Sequence, residues 1–241
     1  MKTQTAYVLS IEYIAIERCF LVAEILSAKY GRDYTEYGLL GLSLRERPFH
    51  VIATPLLPGQ TVTAGSVHQS GHHVFRLKNE MCELSKKLGQ PLMPITFIHR
   101  HPGACDLSSI DEEFLTKVFI DQVATTQNLR EVRVVEPAGF QCGCRESEQY
   151  SLRIQRNAKS LKPVTVEYGV CFSIVVNGEH QYSVVAAKKR WCPFCHSSRA
   201  ALIDAKLEVV SSRKLTSRQS KQLRKELEVE IEAKVAFEDT L

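Results

Sequence analysis

Residues 95–114, ITFIHRHPGACDLSSIDEEF, decide how this chain is read. Ile95 to Ile98 form a short apolar run of the kind that makes a buried strand. The run leads straight into His99-Arg100-His101-Pro102. Alternate residues of a strand point the same way, so His99 and His101 can converge on one point. Pro102 then ends the strand and leaves the imidazoles at its mouth. Asp111 follows ten residues after His101 and falls in the first turn of a helix, with Ser108 in the N-cap position. A strand end and a helix start joined by a short loop can bring two imidazoles and one carboxylate around a single ion. Two His and one carboxylate leave a position open for water, the donor set of a catalytic zinc site. A hydrolytic centre also needs a base for that water. Glu36 is the candidate, because it opens the run Glu36-Tyr37-Gly38-Leu39-Leu40-Gly41, whose glycines allow close approach of backbone or substrate.

Outward from this segment the pattern alternates helices with short strands. Residues 11–30 carry apolar residues and glutamates at helical spacing, with Gly31 as a stop. Residues 36–44 and 48–57 read as a strand pair, and 58–71 as a long loop. Val74, Leu77, Met81, Leu84 and Leu88 recur every three or four residues, which predicts a second helix ending at Gly89. A third helix spans Ile110 to Val123, and strands fit 131–135, 169–176 and 181–187. Residues 138–167 form a polar, Cys-containing insertion. From about residue 197 the chain reads as helical again. The class expected is α/β or α+β.

The composition is that of an ordinary globular protein: 241 residues, 44% hydrophobic and 24% charged, which excludes a disordered tail or a coiled-coil rod. A net charge of +4 makes no demand for nucleic acid, which is disfavoured as a partner. No apolar run approaches the roughly 18–20 residues of a membrane span, and the N-terminus has no cleavage site, so the expected location is cytoplasmic. Eight cysteines include two close pairs, Cys142-x-Cys144 and Cys192-x-x-Cys195. In a reduced compartment such pairs suggest a metal before disulfides. Three readings stand: a structural four-thiolate zinc site, with His196 as a substitute ligand; a redox Cys-x-x-Cys at a helix start; or ordinary cysteines. Loop histidines His68, His72 and His73 read as polar surface. The six basic residues of 213–225, followed by Glu226, Glu228, Glu230 and Glu232, read as a solvated helix with internal ion pairs in preference to a phosphate-binding face, with partner docking on this helix as a further option.

A Glu opening a Gly-containing strand, then His-x-His-Pro at a strand end, then Ser-x-x-Asp opening a helix resembles the JAMM (JAB/MPN) zinc metalloprotease family. The resemblance implies an α/β, MPN-like (cytidine-deaminase-like) mixed sheet flanked by helices. It implies a catalytic domain over residues 1–196, including the Cys-rich zinc-binding insertion 138–167, and a helical extension over 197–241. It implies that His99, His101 and Asp111 bind catalytic zinc, that Glu36 takes the proton of the water, and that Ser108 holds the tetrahedral oxyanion. The expected activity is hydrolysis after the C-terminal tail of a ubiquitin-like protein, as deconjugation or precursor processing. Prokaryotic relatives process ubiquitin-like or sulfur-carrier proteins, some of them in operons devoted to anti-phage defence, which the resemblance extends to this chain as an expected setting. Cys142, Cys144, Cys192 and Cys195 add an expected structural zinc. The sequence departs from the family pattern at Arg100, where Ser or Thr is usual, and in a loop one residue shorter before Ser108, which leaves Ser109 as a second choice for the oxyanion. A non-catalytic scaffold, a zinc-containing nucleic-acid-binding protein and a thiol-disulfide oxidoreductase are the alternatives.

Overall fold

The structure, a computed structural model, describes residues 6–30, 36–62, 67–69, 72–101, 103, 105–127, 129–133, 142–157, 162–177, 179–210 and 214–237. In chain order the elements begin with β1 (Tyr7–Glu12), α1 (Tyr13–Tyr30), β2 (Gly38–Leu44), β3 (Arg47–Ala53), β4 (Gln60–Val62) and β5 (Val67–Gln69). There follow α2 (His72–Leu88), β6 (Leu92–Arg100), α3 (Ser109–Glu113), a π-helical stretch (Phe114–Phe119), α4 (Ile120–Gln127) and β7 (Leu129–Arg133). The chain continues through α5 (Arg145–Asn157), β8 (Val164–Val176), β9 (Tyr182–Trp191), β10 (Ser198–Val210), α6 (Ser217–Lys234) and β11 (Val235–Phe237).

The chain divides into two compact units, the first comprising residues 1–109, 172–186 and 204–241, the second 110–171 and 187–203. The first unit corrects the expected α/β architecture of an MPN-like mixed sheet flanked by helices. Its strands run in the order β6-β2-β3-β1-β10-β9-β8, and β8 pairs back onto β6, so seven strands close into a mixed barrel. Closure is made by parallel pairing of Thr96–Arg100 with Phe172–Val176. On the other side of β6, Gly38–Leu44 runs antiparallel to it, with Gly38 opposite His99. β1 is parallel to both β3 and β10. Such non-local parallel pairings leave no local sequence signal, which is why the closure is not legible in the sequence.

The buried side chains of this unit include Leu9, Ile11, Leu39, Leu42, Val51, Ile95, Ile98, Phe172 and Ile174. At Gly41 an added Cβ would lie 2.1 Å from Thr96 Cγ2, so only glycine lets the strands approach there. α1 buries Ala15, Ile16, Cys19, Val22 and Leu26, and α6 buries Leu223, Leu227 and Ile231. α1 and α6 pack together. Arg18 of α1 meets Glu230 of α6 at 2.5 Å, and Lys234 meets Glu230 at 2.9 Å and Glu80 at 2.7 Å. α2 ends as its sequence predicts: Gly89 takes a φ of 66°, and its amide and that of Gln90 close onto the carbonyls of Lys86 and Ser85. A second, three-stranded sheet has the order β11-β4-β5.

A run of helix spans Ser109 to Gln127 and belongs to the second unit from Ile110 onward; its middle turn is π-helical and buries Leu115 and Phe119. β7 runs antiparallel to β8, pairing Leu129–Arg133 with Val164–Tyr168. Gln127 is buried, and its amide both accepts from Val170 N–H and donates to Val170 C=O, replacing a strand neighbour. Gly169 lies where a Cβ would stand 2.5 Å from Ala124 Cβ, so the helix sits directly on β8.

The helical reading of the chain from residue 197 is corrected in part. Residues 198–210 are the long strand β10, and only 217–234 is helix. Ala200, Ala201, Leu202, Ala205, Lys206 and Leu207 favour helix locally, and strand pairing overrides that preference. Residues 138–141 and 158–161 of the insertion lie outside the described residues; 145–157 form α5. No helix among the described residues is long and apolar enough to cross a membrane.

Candidate metal centres

Two groups of side chains carry the donor types and spacing of metal sites. The first lies at the mouth of β6. His99 is buried at 4% exposure and stacks on Phe97 with ring centroids 5.1 Å apart, while the His99 and His101 rings meet edge to face at 4.8 Å. These three residues alternate along the strand and share one face, as the i, i+2 spacing requires. The His101 amide donates to Val176 C=O at 3.1 Å, so the chain stays tied to β8 one residue past the end of β6. The ligand atoms of His99, His101 and Asp111 all lie within 4.8 Å of one another, close enough for one ion to bridge them. Asp111 is half-buried in the first turn of α3; Ser108 and Ser109 are both exposed, Ser108 immediately before the helix and Ser109 as its first residue.

The loop between the histidines and this helix is anchored from the β8–β9 turn. Asn177 Nδ2 donates to Gly103 C=O at 3.3 Å, and the Ser183 hydroxyl donates to Cys105 C=O. Asn177 Oδ1 in turn accepts the amides of Glu179 and Gln181, which fixes its side chain. Nothing in the loop sequence signals these two anchors, because both belong to residues some 75 positions later.

Glu36 is half-buried just before β2. Gly38 pairs with His99, and the amide of Arg100 donates to Tyr37 C=O at 3.2 Å. Continued by two residues, this antiparallel register sets Glu36 opposite His101, on the face that carries both histidines. Tyr37 points the other way: it is fully buried, and its hydroxyl donates to Cys19 C=O at 2.5 Å. Burial holds the Tyr37 hydroxyl well above its usual pKa, against a smaller opposing pull from Arg100. Arg100, at 3% exposure, lies between the histidines in sequence, so its side chain leaves the strand on the other face. The departure from Ser or Thr at this position therefore falls on the opposite face of the strand from the two histidines.

The second group lies wholly in the second unit. Cys142, Cys144, Cys192 and Cys195 offer four sulfurs within 4.8 Å of one another, and all are free thiols. Cys142 Sγ lies 3.3 Å from Cys192 Sγ and 3.7 Å from Cys195 Sγ, and Cys144 Sγ lies 3.9 Å from Cys192 Sγ. Four thiolates about 2.3 Å from a tetrahedral zinc stand about 3.8 Å apart, so the cluster fits such an ion. Backbone amides point at the sulfurs: Cys144 N–H at Cys142 and Ser147 N–H at Cys144, each at 3.4 Å. Cys192-Pro193-Phe194-Cys195 is a turn rather than a helix start. The His196 amide closes onto Cys192 C=O at 3.0 Å, and His196 itself takes a φ of 59°. Both turns thus bend around their sulfurs, with Gly143 at a φ of 75° between the first pair.

The electrostatics of the four thiols are linked. Burial raises the Cys142 thiol, but the Cys144 amide and hydrogen bonds with the other three thiols outweigh it and bring the pKa down to about 6. Hydrogen bonding to Cys142 is the main reason that Cys144 is pushed up to about 12. Burial raises Cys192, and the Ser197 hydroxyl lowers Cys195. A cluster in which some thiols hold protons for others is one that a dication would empty of protons altogether. Cys19 and Cys171 differ: each is buried singly and burial drives its thiol up, Cys19 to about 12.

The side chains of His68, His72 and His73 lie outside the described residues; the backbone places His68 in β5 and the other two at the start of α2. The basic run 213–225 is seen from Lys214 onward, and Thr216 caps α6 by a capping box with Gln219.

A scan against protein-family models finds no match for this chain, and a comparison with curated proteins finds none either.

Proposed function

We propose that the chain is a zinc-dependent isopeptidase or peptidase of the JAMM type, acting on the C-terminal tail of a ubiquitin-like protein or its conjugates. The observation that carries this reading is the convergence of His99, His101 and Asp111 within 4.8 Å, beside the strand that Glu36 opens. The proposal rests on these residues and not on the fold, since sites and folds are separable. Zinc would be held by the two imidazoles and the Asp111 carboxylate. When bound, it lowers the pKa of a water ligand to about 7 and polarises the scissile carbonyl. Glu36 accepts the proton of the attacking water and delivers it to the departing amine. Ser108 or Ser109 donates to the oxygen on which charge develops, a contribution of about 3 kcal/mol for one such donor. The half-burial of Glu36 at a strand end suits a carboxylate that must meet water yet stay fixed.

The four cysteines would hold a second zinc with a purely structural role, because four protein thiolates leave no open position. That reading is favoured over the redox one by the turn geometry at Cys192–Cys195 and by the four sulfurs being together rather than two. The test is elemental analysis of the wild type beside His99→Ala/His101→Ala. Two zinc ions per wild-type chain and one in the variant are expected. A variant that keeps all the metal of the wild type removes the histidines as ligands and the hydrolase with them. Cleavage of an isopeptide-linked ubiquitin-like conjugate by the wild type then tests the substrate class.

A further inference from the structure

On the side of β2 away from β6, residues Gly38–Leu40 are held by the segment that follows β3. Leu40 N–H donates to Pro55 C=O at 3.0 Å, and Leu57 N–H to Gly38 C=O at 3.2 Å. One buried side chain completes this edge. Gln60, with 0% exposure, accepts the Gly38 amide on Oε1 at 2.7 Å and donates from Nε2 to Gly38 C=O at 2.8 Å and Leu57 C=O at 2.9 Å. A primary amide that grips both backbone groups of one residue acts as a single rung of a missing strand. The rung falls on the residue opposite His99, two positions from Glu36.

Gln60 is itself held by the end of the chain. Its backbone pairs with Val235 of β11, the residue that follows α6. The last turns of α6 also grip Leu56: Glu230 Oε1 accepts its amide and Lys234 Nζ donates to its carbonyl, each at 3.2 Å. The chemistry-bearing strand start is thus braced from behind by a helix that carries no candidate catalytic residue.

From these contacts we infer that Gln60 is a positioning residue for Glu36, which fixes the carboxylate relative to the histidine pair. The inference rests on the reading of Glu36 as the base at a metal site. It requires that loss of Gln60 be felt only through Glu36, and this non-additivity is what distinguishes positioning from a general structural role.

The test uses the full-length, zinc-loaded chain and acetohydroxamate, a small zinc chelator whose hydroxyl proton a neighbouring carboxylate accepts. Its affinity is measured by calorimetry for the wild type, Glu36→Gln, Gln60→Ala and the double variant. Glu36→Gln is expected to weaken binding about tenfold or more, the scale of one charge-assisted hydrogen bond. Gln60→Ala is expected to weaken it comparably, with the double variant no weaker than Glu36→Gln alone. Zinc content, read in parallel, is expected to stay at the wild-type level in all four. If Glu36→Gln binds like the wild type, the reading of Glu36 fails and takes the inference with it. If Glu36→Gln weakens binding but Gln60→Ala does not, or the two losses multiply in the double variant, the positioning role is overturned while the base survives. Should Gln60→Ala lose its fold, Gln60→Glu replaces it. That change keeps an acceptor for the Gly38 amide but turns a carboxylate on two carbonyls, and it is read by the same rule.

Discussion

The two imidazoles at the end of β6 and the carboxylate before β2 are separated by more than 60 residues of chain, yet two strand registers fix where they stand. His99 lies opposite Gly38 and one residue from Arg100, which is hydrogen-bonded to Tyr37. A shift of one residue would turn both histidines to the other face. At this scale the prediction concerns Glu36. Glu36→Gln is expected to retain both zinc ions and to lower kcat on a ubiquitin-like conjugate by about a hundredfold or more, the usual value of a positioned acid–base group. Full activity in this variant, measured by gel-based cleavage, would remove Glu36 as the base. His99, His101, Asp111 and the four paired cysteines are legible in the sequence because their donor types and spacings are themselves the chemistry. Gln60, Asn177 and Ser183 are not, since a glutamine, an asparagine or a serine that grips a distant backbone looks like any polar residue.

Among the elements, α6 shows how a charged helix can be both solvated and fixed. Leu223, Leu227 and Ile231 recur every four residues and are buried, while most of the helix is exposed. Leu227→Ala, at a site with 0% exposure, is expected to cost about 2–5 kcal/mol, read as a fall in the urea midpoint. Glu230 carries a pH dependence. Burial alone would raise its pKa, but Arg18 and Lys234 outweigh burial and hold it below the ordinary 4.5. A carboxylate with a depressed folded-state pKa contributes stability that is full above its unfolded value and is lost as pH falls through the folded value. Glu230→Gln is therefore expected to destabilise the chain at pH 7 and to lose that difference progressively below about pH 4.5, measured as thermal midpoints across pH. A difference independent of pH would show that the ion pairs contribute nothing. Most elements announce themselves: α1 and α2 by spacing, α6 within the stretch read as helical from about residue 197, the β2–β3 pair by its apolar runs, and the end of α2 by Gly89. β10 does not, because its alanines, leucines and lysine favour helix and only its neighbours make it a strand.

Taken whole, the molecule consists of a barrel closed by strand pairing and a second unit whose four-cysteine cluster joins the Cys142–Cys144 turn to the Cys192–Cys195 turn across 47 intervening residues. A metal that binds the folded cluster more tightly than the unfolded chain stabilises the fold in proportion to the logarithm of its concentration. Chelation under reducing conditions is therefore expected to speed amide exchange in Arg145–Asn157 first, while Ile95–Ile98 and Phe172–Val176 stay protected. Uniform loss of protection would show that the cluster supports the whole chain instead. The fold class is the least legible feature, since closure depends on β6 meeting β8 some 75 residues later, and no residue of either strand encodes that partner.

Closure also bears on where a guest strand could dock. From Thr96 to His99 β6 is paired on both sides, with β2 and with β8, so beside His99 it offers no open edge to an incoming peptide. Among the described residues, β5 ends the small sheet with one side unpaired, and it is joined through β4 to the same Gln60 that grips Gly38. A peptide that lengthened this sheet would lie along β5 and would press, through one amide, on the strand that Glu36 begins.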